Sequence, residues 1–427
     1  MTKLEKKFDI PQLIFLGIAN IIGAGIYVVG GIAAGIAGPS VIISFIIAGI
    51  IATLTALVIA ELSSAITDIG ESYTYSKKAF GNYIGFIVGF IRFLSSVFST
   101  TSVAMGFSAY LIIFFFPNYN FPIFLYLLST LVIIISSVLN ILGISKMIKF
   151  ATFLTIFKIF ALSFFITLGI HYSLKNFDIQ KLIPPFPNGF KATLEAASLV
   201  FFAYIGFQTI ALASEETKNP KKNIPLAIFF TMLFCSIFYT LISLIQITTV
   251  YWYELKNVEY SLLYITRKIT ENYIVNLLIT SSALAAMLSV LLTTVYSSSR
   301  IAYALAKDGF LPSFLKKIDK KYKTPIYSII ISCFLSTLLL LIKNLSTLIS
   351  FVSFGYLTIF LITHLSLIKL KKKIKPKFEL PFHPFIPIIS IFFIIVLIAF
   401  LENTAKILGI CFILIGSLIY LFLTKRK

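Results

Sequence analysis

The chain has 427 residues, of which 59% are hydrophobic and 12% are charged, and its formal net charge is +20. A soluble domain carries about twice that share of charged residues, so the composition excludes an ordinary soluble fold and requires lipid as part of the solvent. Cys235, Cys333 and Cys411 all lie in apolar stretches without metal-like spacing, which argues against a zinc site and against structural disulfides.

Apolar stretches long enough to cross a bilayer, which takes ~20 residues per helix, follow one another along the whole chain. Charged and proline-rich breaks divide them into twelve, at residues 11–37, 39–67, 84–116, 121–142, 148–170, 192–213, 224–250, 273–305, 325–341, 345–368, 385–401 and 405–423. The sequence therefore predicts an all-α integral membrane protein with twelve transmembrane helices.

The lysines and arginines predict the orientation of these helices. With the N-terminus in the cytoplasm, 25 of the 36 basic residues fall in cytoplasmic segments, 8 in outer segments and 3 within the spans. Cytoplasmic loops of membrane proteins carry such an excess, so we expect a multi-pass protein of the cell membrane with both termini in the cytoplasm. The positive charge then serves topology and contact with membrane lipids, and nucleic acid is excluded as a partner.

Small residues interrupt two of these spans at corresponding positions. The first interruption lies at residues 22–26, around Gly23 and Gly25, and the second lies in the sixth span at residues 202–206. They are five spans apart, as are the two longest spans, and a repeated unit of five spans inserts upside down because five is odd. Glycine also permits close helix packing, so packing is an alternative reading for any single one of these glycines.

The symmetry predicts a first five-helix repeat at residues 11–170 and an inverted second repeat at 192–368, and it leaves the two helices at 385–423 outside the repeats. A helix interrupted in the middle of the membrane exposes unpaired N–H groups at one broken end and unpaired C=O groups at the other. The N–H end suits a carboxylate and the C=O end suits an ammonium. Two antiparallel broken helices therefore match an α-amino acid without any charged side chain.

Four stretches of the chain resemble the amino acid–polyamine–organocation superfamily, and within it the cationic-amino-acid transporters and archaeal amino acid permeases. They are Gly23-Ala24-Gly25-Ile26 with Pro39, residues 60–65 with 73–81, residues 201–207 with 215–220 and 224–225, and residues 300–312. The resemblance covers spans one to eight. It implies a secondary carrier with a leucine-transporter-like fold of five plus five inverted helices and two peripheral helices.

Three residues depart from the pattern of these carriers. Thr67 stands where many relatives have proline, and Glu71 replaces the second glycine of a usual pair. Gln208 stands where many cationic-amino-acid carriers have an acid, which weakens the case for a cationic substrate.

The resemblance implies that the backbone of the two interruptions binds the substrate. The residues concerned are Ile22, Gly23, Ala24 and Gly25 in the first span, and Phe202, Ala203, Ile205 and Gly206 in the sixth. The residues from Gly23 to Gly25 would receive the carboxylate, and carbonyls near Phe202, Ala203 and Ile205 would receive the amine. Phe202 resembles the aromatic gate of the family, with simple packing as the alternative.

Lys158 lies near the middle of the fifth span, where a charged side chain is costly and indicates a functional role. In sodium-independent relatives a lysine of this span replaces a sodium ion between spans one and eight, and Lys158 matches that position. We expect its ammonium to brace the carbonyls around Ile21 and Ile22 against a hydroxyl of span eight, with Ser289 as the candidate. Exchange of its proton would couple transport to protons; a lysine that snorkels or pairs structurally is the alternative.

Other charged residues carry weaker expectations. Arg92 and Arg300 lie near the cytoplasmic ends of the third and eighth spans, and we expect them to act as gate residues or as interface anchors. Glu61 is the expected partner of Arg92. Glu215 and Glu216 are expected to brace an inner loop.

The sequence thus favours a secondary active transporter of amino acids, driven by protons and independent of sodium, and disfavours an enzyme. An amino acid exchanger and a carrier of polyamines or other organic amines are the alternatives. No phosphate-binding loop, nucleophile constellation or metal-ligand cluster is recognisable, so neither a cofactor nor a metal is predicted.

Overall fold

The computed structural model describes residues 9–66, 71–116, 122–142, 144–212, 217–256, 258–376 and 378–424, and these form no β-strand. The α-helices are α1 (Ile10–Ile21), α2 (Gly30–Ala37), α3 (Val41–Ala65), α4 (Ser72–Phe80), α5 (Asn82–Phe115), α6 (Pro122–Ile141), α7 (Ile144–Lys175), α8 (Gly189–Tyr204), α9 (Gln208–Leu212), α10 (Pro220–Thr249), α11 (Ser261–Ile269), α12 (Tyr273–Lys307), α13 (Ile326–Leu338), α14 (Leu345–Leu370), α15 (Phe385–Phe400) and α16 (Asn403–Thr424).

Most of these helices have the length and composition of membrane spans. Within the described ranges, nine helical segments are long and apolar enough to cross a membrane, and Ile10–Ile21, Ile326–Ile342 and Phe385–Phe400 are shorter apolar helices. Helices at the periphery turn apolar side chains outward, such as Leu127 and Leu131 of α6, which are 62% and 52% exposed. A continuous apolar exterior of this kind requires lipid contact, so the chain is a multi-pass membrane protein.

The segment Gly25–Ala65 joins two predicted spans and reverses its direction between them. Its first part contacts the end of α8 near Gly25 and the start of α8 near Ile36, and its second part runs back along α8 from Ser44 toward Gly49. Gly38 has a φ of 70°, a backbone conformation that favours glycine, and Pro39 follows it. Since α1 and α2 cross in one direction and α3 returns, the start of α5 lies on the side on which α1 begins. We call this side of the molecule the N-terminal side.

The centre of the fold is built on α5 and α12, the longest helices with 34 and 35 residues, which pack along each other. The neighbours of these two helices correspond: α5 also packs on α6 and α14, and α12 packs on α13 and α7. A second pair, α3 and α10, also pack together, with α3 against α8 and α10 against α1.

Two short helices lie in the connections between predicted spans and were not predicted. Helix α4 packs against α5, which it precedes, and α11 packs against α12 in the same way. In α11, Leu262, Leu263 and Ile265 are buried while Arg267 and Lys268 occupy the last turn, where cations stabilise a helix. Both helices have nine residues, too few to stand out as spans in a hydropathy reading.

Candidate functional site

The first interruption separates α1 from α2. Helix α1 ends at Ile21, Ile22 has an extended backbone, and a π-helical turn at Gly25–Val29 leads into α2. The N–H group of Ile22 donates to the carbonyl of Ile18 at 3.0 Å and closes the last turn of α1. Gly23, Ala24 and Gly25 begin the next helical segment, whose first N–H groups have no acceptor within their own helix.

The second interruption separates α8 from α9. Helix α8 ends at Tyr204, residues 205–207 form a turn, and α9 begins at Gln208. Gly206 has a φ of 137°, and a Cβ there would lie 2.8 Å from the carbonyl carbon of Asn20, so the position requires glycine. The buried side chain of Gln208 accepts a hydrogen bond from the N–H of Gly206 at 3.1 Å and stabilises the turn.

The two interruptions are in direct contact. A Cβ on Gly25 would lie 2.3 Å from the Cα of Ala203, so the missing side chain lets the two backbones touch. The buried Tyr239 of α10 directs its hydroxyl to the carbonyls of both Ile21 and Ala203, at 3.0 and 3.1 Å. Tyr239 therefore joins the carbonyl ends of the two broken helices, a role that its position in an apolar span does not predict.

A narrow cavity lies beside the interruptions, between α5, α12 and α14. It is lined by Asn20, Ile21, Gly23, Ala24, Gly25, Arg92, Ser96, Ser99, Val103, Phe202, Ile205, Gly206, Gln208, Thr209, Val290, Thr293, Thr294, Ser297 and Tyr356. Along α5 it extends from Val103 to Arg92, a distance of about 16 Å at the helical rise. The cavity thus runs from the interruptions toward the N-terminal side.

The opposite side of the interruptions is closely packed. The hydroxyl of Tyr27 is hydrogen-bonded to Ser282 of α12 at 2.9 Å, and Tyr110 of α5 donates to the carbonyl of Tyr27 at 2.6 Å. A Cβ on Gly31 would lie 2.4 Å from the side chain of Ser261 in α11. The first broken helix is therefore sealed against α5, α11 and α12 beyond the cavity.

Six of the eight residues predicted to bind substrate line the cavity, namely Gly23, Ala24, Gly25, Phe202, Ile205 and Gly206. Ile22 and Ala203 are not among the lining residues, and their carbonyls accept hydrogen bonds from Lys158 and Tyr239. The carbonyl of Phe202 accepts from the N–H of Ile205 at 3.2 Å within the turn.

Lys158 is fully buried in α7, and its ammonium lies at the carbonyl end of α1. It donates to the carbonyls of Ala19 and Ile22, at 2.9 and 2.6 Å, and to the hydroxyl of Ser289 in α12 at 3.1 Å. The sequence predicted contacts with the carbonyls around Ile21 and Ile22. The ammonium contacts the carbonyl of Ile22 and that of Ala19, whereas the carbonyl of Ile21 accepts a hydrogen bond from Tyr239. The ammonium thus joins α1, α7 and α12 at the first interruption without a carboxylate among its three acceptors.

Arg92 is the one charged side chain among the described residues that line the cavity. Its guanidinium donates to Ser96 at 2.8 Å and to the hydroxyl of Tyr356 in α14, and lies 3.7 Å from the carboxylate of Glu71. The expectation that Glu61 pairs with Arg92 is wrong. Glu61 is fully buried and accepts from the ammonium of Lys371 at 2.6 Å, because α3 directs it toward the end of α14.

The remaining candidates lie apart from the cavity. The guanidinium of Arg300 stacks on the ring of Tyr296 at 4.5 Å, one helical turn before it. Glu215 and Glu216 lie outside the described residues. The hydroxyl side chains of the cavity, contributed mainly by α5 and α12, were not predicted, since serine and threonine in an apolar span do not indicate which face they occupy.

The apolar exterior, the two opposed helix interruptions and the central polar cavity define a helical membrane protein with a polar cavity beside two broken helices. A profile of the amino acid permease family matches residues 8–422, and the chain belongs to this family. It is therefore a permease, and the family favours a transporter over an enzyme.

The relatives of this chain differ in the solutes that their names give. The chain is 30% identical to the branched-chain amino acid permease BcaP of Bacillus subtilis (strain 168), over 99% of this chain and 94% of the relative. It is 31% identical to the methylthioribose transporter of the same organism with the same coverage. With the cationic amino acid transporter 3 of Arabidopsis thaliana it shares 30% identity, over 88% of this chain and 64% of the relative.

Proposed function

We propose that the chain is a secondary active transporter of amino acids that works by alternating access and holds its substrate on the backbone of the two interruptions. The observation that carries the proposal is that the open N–H end at Gly23 and the carbonyl end at Phe202 face one cavity. An α-amino acid offers a carboxylate to the first and an ammonium to the second.

The proposed topology has twelve spans, in two inverted repeats of five with two peripheral helices. Division of the segment Gly25–Ala65 at Gly38 turns the nine long segments into ten, and α1 forms the beginning of the first of them. The shorter apolar helices α13 and α15 bring the number of spans to twelve. The packing of the helices supports the repeats. Helix α5 packs on α6 and α14, and α12, five spans later, packs in the same way on α13 and α7. The basic residues favour cytoplasmic termini, which places the Arg92 end of the cavity on the cytoplasmic side of the interruptions.

The cavity favours neutral over cationic amino acids. Arg92 supplies positive charge, and Gln208 takes the place of an acid that would attract a cationic side chain. The first relative named above is a branched-chain amino acid permease, which agrees with this substrate class. A sugar-like solute is the second candidate, since hydroxyl side chains line the cavity and another relative is named for methylthioribose.

Lys158 is proposed to occupy the place of a coupling cation and to exchange a proton during transport. The support is its position, buried and hydrogen-bonded to α1 and to Ser289 of α12 at once, so that any separation of these helices changes its environment. Lys158→Ala should abolish proton-driven uptake. Lys181→Ala is the matched control, because Lys181 also donates to helix-end carbonyls, those of Thr248 and Thr249, but lies outside the cavity. Intact proton-driven uptake by Lys158→Ala would refute the coupling role.

The decisive experiment is uptake into proteoliposomes of labelled amino acids, one at a time, with and without an inward proton gradient. Saturable uptake of neutral amino acids that the gradient stimulates is the expected result. Uptake only into liposomes preloaded with unlabelled amino acid would make the protein an exchanger and refute proton symport. Uptake of methylthioribose or of a polyamine, with none of any amino acid, would refute the proposed substrate class.

A further inference from the structure

Glu71 is a buried carboxylate with an unusual backbone. It lies just before α4 with φ 53° and ψ −129°, a conformation that glycine adopts readily and other residues rarely do. Its side chain is 6% exposed, and the carboxylate oxygen Oε1 has no hydrogen-bond partner among the described residues. A strained backbone that holds an incompletely bonded buried acid is costly, and such combinations occur where function requires them.

The carboxylate lies directly behind the wall of the cavity. Its other oxygen, Oε2, is 3.7 Å from Nη2 of Arg92, and Arg92 is the lining residue of α5 farthest from the interruptions. The pair is almost fully buried, with the two side chains 5% and 6% exposed. In such a medium the attraction between the charges is screened far less than at a surface, so a change in the charge of Glu71 acts strongly on Arg92.

The groups that face Glu71 come from the two helices against which α4 packs. From α5 the group is Arg92, and from α14 it is Tyr356, whose hydroxyl accepts from Arg92 and whose ring lies 4.8 Å from its guanidinium. Two polar side chains of α4, Tyr73 and Lys77, bind Asp308 at the end of α12. Burial raises the pKa of Glu71 to about 7, and the charge of Arg92 limits this rise.

We propose that Glu71 is a proton-binding residue that controls the cytoplasmic end of the cavity through Arg92. The ionised carboxylate holds the guanidinium against α4 and keeps that end closed. When Glu71 accepts a proton on Oε1, the attraction to Arg92 is lost, and the guanidinium keeps Ser96 and Tyr356 as its partners among the described residues. The cavity then opens toward the side from which the proton came. This inference rests on the proposed transport function and adds to it a proton site distinct from Lys158.

The test measures opening without measuring transport. Ser99→Cys, in a background without the three native cysteines, places a thiol in the cavity beyond Arg92, and its alkylation by a water-soluble maleimide reports access. At each pH, the alkylation rate of the parent Ser99→Cys protein is compared with that of the same protein carrying Glu71→Gln. Both contain the same thiol, so the pH dependence of the thiol itself cancels. At pH 8, where about a tenth of Glu71 is protonated, the glutamine variant should react about tenfold faster; at pH 6 the two should be equal.

Glu71→Gly provides a second variant that is free of the backbone strain, and it should behave like Glu71→Gln. Glu61→Gln is the matched control, because Glu61 is also buried and paired with a basic side chain, Lys371, away from the cavity. Equal reaction rates for the parent and Glu71→Gln at pH 8, or the same rise in Glu61→Gln, would overturn the proposal. This assay needs no substrate, so it still tests the role of Glu71 if the protein does not take up amino acids.

Discussion

Replacing Gly25 by alanine should disrupt the contact between the two interruptions. The new Cβ would lie 2.3 Å from the Cα and 2.5 Å from the Cβ of Ala203, whereas carbon atoms in contact are about 3.5–4.0 Å apart. Both atoms are fixed to the backbone, so no side-chain rotation relieves the clash and the segments must separate by more than ~1 Å. Overpacking of this kind costs ~1–3 kcal/mol.

The separation also affects Tyr239, whose hydroxyl lies within 3.1 Å of carbonyls on both segments and would lose one of them, adding ~1 kcal/mol. In enzymes, a misplacement of ~1 Å at the site can lower the rate by about a hundredfold, and we expect a loss of similar size here. We therefore expect Gly25→Ala to lower the melting temperature in detergent and to reduce the initial rate of amino acid uptake by about two orders of magnitude.

The matched control is Gly106→Ala in α5. Its Cβ would lie 3.1 Å from a methyl group of Val28 and 3.5 Å from the sulfur of Met287, both at the ends of side chains that can shift by a few tenths of an ångström. This variant should keep the melting temperature within a few degrees and most of the uptake. Wild-type stability and uptake in Gly25→Ala, or an equal loss in Gly106→Ala, would refute the reasoning.

Three further predictions follow from side chains around the cavity. Tyr239→Phe should lower the free energy of unfolding by ~1–2 kcal/mol and leave the pH profile of uptake unchanged, measured by thermal melting and uptake; full stability would contradict the bridging role. Gln208→Glu adds a negative charge at the cavity and should strengthen inhibition by cationic amino acids about tenfold, or ~1.4 kcal/mol, in a competition assay against a neutral one; unchanged inhibition would place the substrate side chain elsewhere. Burial raises the pKa of Glu71 from 4.5 to about 7, so on raising the pH the unfolded chain releases this proton before the folded protein does. The free energy of unfolding should therefore fall by ~3 kcal/mol as the pH rises from below 4.5 to above 7. Melting curves from pH 5 to pH 8 should show this loss in the parent and a smaller one in Glu71→Gln, and parallel curves would contradict it.

The features that could be read from the sequence are those with a local cause. Residues 23–25 break the first span because glycine gives the backbone more conformational freedom than a helix uses, and the structure has its helical ends at Ile21 and Gly25. The apolar stretches likewise mark the long helices, because a membrane requires about twenty apolar residues in succession.

The features that were missed depend on contacts between distant parts of the chain. Tyr239 reads as one more aromatic residue in an apolar helix until the fold brings the carbonyls of Ile21 and Ala203 to its hydroxyl. The pairing of Arg92 with Glu71 instead of Glu61 depends on the turn before α4, a short helix with no hydropathy signal. Glu71 was nevertheless visible as a departure, since an acid stands where similar carriers have glycine.

The hydroxyl groups along the cavity have a consequence for the kinetics of passage. Ser96, Ser99, Thr293, Thr294 and Ser297 line the route between the interruptions and Arg92, and each hydroxyl can rotate to donate or to accept. A solute that leaves the interruptions would therefore exchange one set of hydrogen bonds for another of nearly equal strength at every step. Such a route has a flat free-energy profile with no deep intermediate trap. Discrimination between solutes would then take place mainly at the two interruptions, where Gln208 lies, and release would be limited by the opening of the cavity rather than by travel along it.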